Sequence, residues 1–247
     1  MKRLWPLIAL GLGAFVIFAL VTLPASVVLS RLGSAGIAAA GVSGSIWNGK
    51  AQVLQVGGVP VGSVEWNLHV LPLFTLHANA DVKVSRVDGF ATTAVSIGPG
   101  GNVTLKGLTA SLPLQALPNI APGWAATLNG KFTKLTLDKG WPIHVDGSLD
   151  AIDVTGPARK PANVGSYRLI FDPTASTAEM IQGAISDSGD GPLQINGTVR
   201  LKTDRSYEID ALVATRANAP RNLASALEYL GPPDAQGRRQ FSMAGAL

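Results

Sequence analysis

Beyond about position 40 this chain alternates apolar and polar residues with a period of two. Val64, Trp66, Leu68 and Val70 interleave with Ser63, Glu65, Asn67 and His69. Leu193, Ile195, Val199 and Leu201 interleave with Gln194, Asn196, Thr198, Arg200 and Lys202; Tyr167, Leu169 and Phe171 form a third such face, and Tyr207 with Ile209 begins a fourth. Successive side chains of a strand point to opposite faces, so the pattern predicts half-buried antiparallel strands. Turn signals separate the runs at Asp88-Gly89, Pro99-Gly100-Gly101, Asp138-Lys139-Gly140 and Asp146-Gly147. At Asn48-Gly49, Asn129-Gly130 and Asn196-Gly197 the alternation runs straight through, so each glycine reads as a bulge or bend in a long, curled strand. The phrases SIWNGKAQVLQV, LNGKFTKLTL and INGTVRLKT hint at a repeated strand–bend–strand unit.

The period changes at three places. Leu4 to Leu23 carries no charge, and at about 1.5 Å per residue it would span roughly 30 Å, the thickness of a bilayer core. Lys2-Arg3 precedes it and predicts a cytoplasmic N-terminus, with Trp5 at the interface. The rival reading is a cleaved signal peptide, for which Ala38-Ala39-Ala40 is the available small-residue site. Pro24 to Ile37 reads as an apolar juxtamembrane helix ending near Gly33 or Gly36. Leu112 to Leu117, between Pro113 and Pro118, allows at most a turn or two. Arg221 to Leu230 predicts a short helix with Pro220 in its first position, Leu223, Leu227 and Leu230 on one face, and Gly231 as its cap. The last predicted strand is Gln240 to Met243.

Composition narrows the function. Charged residues make up 15% of the 247, against about 25% in typical domains. A surface so poor in charge suggests apolar area covered by membrane or partners. The net charge is +4, and without Lys2 and Arg3 the balance is 18 basic to 16 acidic residues. There is no aromatic-interleaved basic patch, so nucleic acid is not an expected partner. The chain has no cysteine, which excludes disulfides, thiolate zinc sites and a thiol nucleophile.

Candidate chemistry is sparse. Gly44-Ser45-Ile46-Trp47-Asn48-Gly49-Lys50 fits a phosphate-binding loop by spelling, but Ala51 stands where a hydroxyl must hold magnesium, and Ile46-Trp47 is too bulky for phosphates. Val53, Val56, Val59 and Val61 around Gly57-Gly58 favour strands there, so no nucleotide is expected. His69, His77 and His144 have no metal-ligand spacing. The stretch Ser186-Asp187-Ser188-Gly189-Asp190-Gly191 resembles part of a calcium loop, but Thr198 occupies the twelfth position, where a carboxylate is required. Asp146, Asp150 and Asp153 do not make a carboxylate pair, because 150 and 153 fall on opposite strand faces. The nucleophile elbow is also missing, since Gly41-Val42-Ser43-Gly44 is followed by Ser45 and not glycine. No catalytic, cofactor-binding or metal residue is assigned, and a non-enzymatic role is expected.

Gly44-Ser45-Ile46-Trp47-Asn48-Gly49, then Val64-Glu65-Trp66 and Leu71-Pro72-Leu73, resemble the protein N family of the bacterial type II secretion system. Gly189-Asp190-Gly191-Pro192-Leu193, Ile195-Asn196-Gly197, Leu227 to Gly231, Pro233-Asp234 and Gly237-Arg238 agree. The resemblance runs from the apolar N-terminus to the final strand and is weakest over Val82 to Gly123. It implies a single-pass inner-membrane protein: residues 1–3 cytoplasmic, 4–23 transmembrane, 24–40 juxtamembrane, and 41–247 a periplasmic β domain. It also implies a place in the machine that exports folded proteins across the outer membrane. Implied partners are other inner-membrane secretion components and the outer-membrane secretin, with no enzymatic residues to carry over. The expected fold is mainly β: a curled antiparallel sheet forming a half-barrel or trough, similar to AsmA-like envelope proteins, with one or two short helices. An apolar trough leaves a second reading open, a protein that holds or conducts lipid.

Overall fold

The computed structural model describes residues 5–31, 33, 36–117, 122–157 and 163–246. Lys2, Arg3, Leu4, Pro118 and Leu247 lie outside the described residues. The chain divides into two compact units, Met1–Arg86 and Val87–Leu247.

The first unit begins with α1 (Trp5–Val21) and α2 (Ala25–Arg31). α1 has 17 residues and no acidic or basic group in its end turns, and Leu10, Leu12, Phe15, Phe18 and Val21 are all exposed. Among the described residues no helix is long and apolar enough to cross a membrane; of the predicted span over 4–23, α1 takes in Trp5–Val21. Pro24 separates the helices, as a residue lacking a backbone N–H would, and its bridge is to Ser45. The helix predicted to end near Gly33 or Gly36 is α2, whose last residue is Arg31, and Ile37 begins a strand.

Strands β1 (Ile37–Ala40), β2 (Ser43–Gly44), β3 (Asn48–Val56), β4 (Val59–His69) and β5 (Ala78–Ser85) follow. β1 and β2 both pair with β3, and β4 lies between β3 and β5, all antiparallel. Gly57 and Gly58, with φ of 59° and 81°, close the β3–β4 hairpin in the two-residue, positive-φ form that suits strand twist. The stretch that spells a phosphate loop is thus strand. Val64 is buried while Glu65, Asn67 and His69 are exposed, as the alternation requires.

The second unit is an antiparallel meander of β6 (Phe90–Ile97), β7 (Val103–Pro113), β8 (Ala125–Asp138), β9 (Trp141–Thr155), β10 (Asn163–Phe171), β11 (Met180–Asp187), β12 (Leu193–Lys202), β13 (Ser206–Thr215) and β14 (Arg239–Ala246). Each strand pairs with the next. Helix α3 (Arg221–Glu228) enters between β13 and β14 and touches β13. It is shorter than predicted: Pro220 is the N-cap rather than the first helical residue, and Tyr229 caps the other end. The final strand is longer than the predicted 240–243 because β13 offers it eight consecutive partners.

Asp146-Gly147 is not a turn. It lies inside β9, where the ladder slips between Phe132 and Lys134 on the facing strand. Gly147 has φ of 146°, and a Cβ built there would sit 2.5 Å from Phe132 Cα and 2.8 Å from the Phe132 ring. The glycine is needed for close approach and local dihedral, not for chain reversal. Asn129-Gly130 and Asn196-Gly197 likewise run within regular ladders, and neither forms a bulge.

Aromatic residues explain the strand glycines. In register, Trp66 faces Gly49, Phe132 faces Gly147, Phe171 faces both Gly147 and Gly183, and Tyr207 faces Gly245. A Cβ on Gly183 would meet the Phe171 ring at 2.8 Å, and one on Gly245 would meet Tyr207 Cζ at 2.7 Å. Each ring lies over the bare backbone of a neighbouring strand, an arrangement that shields the glycine and lets that face of the sheet contract.

The contraction is greatest at one end of β9–β12. Val145, Phe171 and Ile181 form the buried cluster, with Phe132, Leu135, Leu169 and Leu201 packed against it. These seven side chains come from five successive strands. The Trp141 indole N–H donates to the Lys202 carbonyl at 2.8 Å, joining β9 to β12. Three strand spacings in a flat sheet are about 14 Å, so the sheet curls here.

Candidate functional site

Strand register in the second unit sorts side chains into two faces. Val103, Leu105, Leu108 and Leu112 of β7 continue through Leu135, Phe132 and Leu128 of β8 to Val145 and Leu149 of β9. The same face carries Leu169 and Phe171 of β10, Ile181 and Ile185 of β11, and Val199 and Leu201 of β12. It ends with Ile209 and Val213 of β13 and Phe241 and Met243 of β14. Among the described residues no second sheet is stacked on this face; α3 is the one α-helix of the unit, beside short 3-10 turns at Leu114–Ala116 and Pro173–Ala175. Few of its side chains are buried, and among the described residues none of the large ones is fully so. This is an apolar face with its own curl as cover, the candidate interaction site of the chain.

The opposite face carries the ion pairs, with Ile170 exposed among them. Arg168 holds Asp150 across β10–β9 at 2.5 Å, and Arg200 holds Asp210 across β12–β13 at 2.7 Å. Ser242 Oγ donates to Asp210 at 2.8 Å, and that bond, followed by the Arg200 one, draws the Asp210 carboxyl below its usual range. Lys202 pairs with Glu208 on the same side. These partners are cross-strand neighbours that fix register more than they add stability.

A denser knot lies at the end of the sheet remote from the Phe171 cluster. Asp187, whose side chain is only 10% exposed, is paired with Arg216. Arg216 also donates to the carbonyls of Gly191 and Leu193 at 2.9 and 2.8 Å. Asp187 accepts the backbone N–H groups of Gly189 and Ile195 at 2.9 and 2.8 Å. Burial pushes its pKa up, but the Arg216 guanidinium and the two N–H groups outweigh that and hold it low. Tyr167, facing Asp187 across β10–β11, donates to the Val164 carbonyl; burial first, then the Asp187 charge, pushes its hydroxyl up to about 12. Ser188 bonds the Ser166 carbonyl, and Ser166 Oγ accepts the Asp153 N–H at 3.2 Å. Beside the knot a recess of about 280 Å³ is lined by Asp153, Asn163, Asp190, Asn218 and their neighbours. No buried side-chain donor or acceptor there or elsewhere among the described residues lacks a partner.

The residues singled out from sequence are dispersed. Lys50 bonds Glu65 across β3–β4 at 2.8 Å, which draws the Glu65 carboxyl below its usual range. His69 contacts Asp81 at 3.0 Å, His77 bonds the Thr75 carbonyl at 2.7 Å, and His144 sits opposite Thr136. The calcium-like loop already holds a cation of its own, the Arg216 guanidinium on Asp187. Asp150 is tied to Arg168, while Asp153 adopts φ of 53° near Asn163. No group of three or more metal-ligating side chains occurs among the described residues. Sequence reasoning missed Arg216, which is 29 residues from Asp187 and has no local signal, and missed the aromatic–glycine pairs, which only register creates.

The family model for type II secretion system protein N matches residues 35–242. The type II secretion system protein N of Vibrio cholerae serotype O1 is 26% identical over 238 residues, covering 92% of each chain. That of Aeromonas hydrophila is 26% identical over 250 residues, covering 96% of each. No solved structure matches. The matched region takes in every strand from β1 to β13 and the first half of β14, and on that extent the chain belongs to the type II secretion system protein N family.

Proposed function

We propose that this chain is a non-catalytic, inner-membrane-anchored component of the type II secretion machinery, working through periplasmic protein–protein contacts. The observation that carries the reading is the apolar face of β7–β14, on which no second layer is stacked among the described residues, on a chain of this family. Such a face needs a partner or a lipid environment. In this reading residues 1–3 are cytoplasmic, 4–23 cross the membrane, 24–40 lead away from it, and 41–247 act in the periplasm. The exposed Leu10, Phe15 and Phe18 support the anchor, because α1 shows no polar stripe with which to lie on a protein surface. Other inner-membrane secretion components and the outer-membrane secretin are the partners.

The test is complementation. In a strain deleted for this chain, release of folded exoproteins should stop and should return with the full-length protein. Replacing Ile209 with Asp on the apolar face should abolish rescue while the protein still accumulates in the membrane fraction. Unimpaired release in the deletion strain would sink the proposal. A reporter fused after Leu247 should be active only in the periplasm.

The same face supports a second reading, a trough that holds lipid acyl chains. It predicts phospholipid retained by protein purified without exchange of the native lipid, and lost in the Ile209→Asp variant. Lipid bound with exoprotein release unaffected would favour this reading over the first.

A further inference from the structure

β14 is an edge strand without the usual protection. Edge strands in soluble sheets are commonly blunted by proline, a bulge, an inward charge or extreme shortness. β14 pairs with β13 over eight residues with no register slip, contains no proline, and carries one charge, Arg239, at its start. That guanidinium is already engaged with the Gly231 carbonyl. Among the described residues no strand pairs with its outer side. By contrast β1, the outer strand of the first unit, has four residues.

We infer that β14 pairs antiparallel with β14 of a second copy of this chain, about a twofold axis at Ser242. The strand is complementary to itself in that register. Arg239 falls opposite Gly245, Gln240 opposite Ala244, and Phe241 opposite Met243, so no charge meets its own twin. A Phe–Met pair adds a favourable sulfur–aromatic contact. Residues of equal parity face each other, so the apolar faces of the two sheets join on one side and the polar faces on the other. Met243, 43% exposed at present, is covered at the seam. Unpaired main-chain N–H and C=O groups are the recognition element, and a closed twofold contact leaves no further β14 edge for uncontrolled addition.

The absence of cysteine gives a clean test by single-cysteine crosslinking of the full chain in membranes. Directly opposed antiparallel residues lie about 4.5–5.5 Å apart at Cα, within disulfide range, whereas Gln240 and its twin would be roughly 14 Å apart. Ser242→Cys should therefore form a covalent dimer under mild oxidation, and Gln240→Cys should not. The double variant Gln240→Cys with Ala244→Cys should regain the crosslink. Ser242→Lys, which opposes two like charges, should lower the dimer fraction about five- to tenfold with unchanged circular dichroism. Three outcomes overturn the inference: no crosslink from folded Ser242→Cys, equal crosslinking of Gln240→Cys, or capture of a different protein by Ser242→Cys.

Discussion

The two ends of β10 hold the second unit together by different physics. At Phe171 the sheet curls around side chains, as rings settle over Gly147 and Gly183 and the indole of Trp141 reaches the Lys202 carbonyl. At Asn163 the strands are held by charge and main-chain hydrogen bonds through Asp187 and Arg216. One end has shape but little polarity, and the other has a closed polar network with a small buried apolar load. A single-layer sheet cannot bury a large core, so it secures itself wherever neighbouring strands can approach. Apolar contact does this where glycine leaves room, and an ion pair does it where a loop returns.

Changes at the apolar end should cost most. Phe171→Ala removes the ring at the centre of the cluster and should destabilise by about 3–4 kcal/mol, read from urea unfolding. Gly147→Val should cost at least about 3 kcal/mol, because backbone atoms of β8 block a Cβ and φ of 146° strains a branched residue. An effect under about 1 kcal/mol for either would mean that the curl is not held there.

At the polar end, Arg216→Met should cost about 2–3 kcal/mol by leaving Asp187 without its charged partner. This end should also answer to acid. The folded pKa of Asp187 is lowered, so its stabilisation is present above the unfolded value of about 3.9 and is lost as pH falls through the lower folded value. The unfolding midpoint of the wild type should therefore drop between about pH 5 and about pH 3, and Asp187→Asn should flatten part of that drop. A wild-type slope retained in full by Asp187→Asn would remove this carboxylate from the account. Tyr167 has the opposite sign. Its folded pKa is raised to about 12, so its contribution is present below the unfolded value near 10 and disappears as alkali carries pH through 12. Tyrosinate absorbance compared with Tyr167→Phe reads this directly.

Smaller effects sharpen the contrast. Trp141→Phe leaves a smaller aromatic ring and removes the indole N–H bond to the Lys202 carbonyl, so about 1–2 kcal/mol is expected. Lys50→Ala in the first unit breaks an exposed cross-strand pair and should leave both the urea midpoint and exoprotein release unchanged. Loss of release in that variant would return Lys50 to the functional residues.

Much of the sheet was legible because strand alternation is a local property. Val64 to Leu68, Leu193 to Leu201 and Tyr167 to Phe171 show their faces in sequence, and the hairpin at Asp138-Lys139-Gly140 declares itself by residue type. Asp146-Gly147 carried the same turn signature and was misread, because its glycine answers a demand from Phe132 on another strand. The helix over 221–230 was placed by its leucine spacing and flanking prolines. Its ends shifted because capping depends on backbone geometry at Pro220 and Tyr229. The candidate face was half legible: strands such as Leu193 to Leu201 announced an apolar side, but nothing local said that those sides would align from β7 to β14.

Sequence by itself determined the binary pattern, the turns, the apolar N-terminal stretch and the lack of metal-ligand spacing, since these follow from neighbouring residues along the chain. Tertiary structure alone decided the register. Register placed Phe171 over Gly183, brought Arg216 to Asp187 and joined separate strand faces into one surface. Those are contacts between residues far apart in sequence, set by how strands stack and curl, and no local preference encodes them.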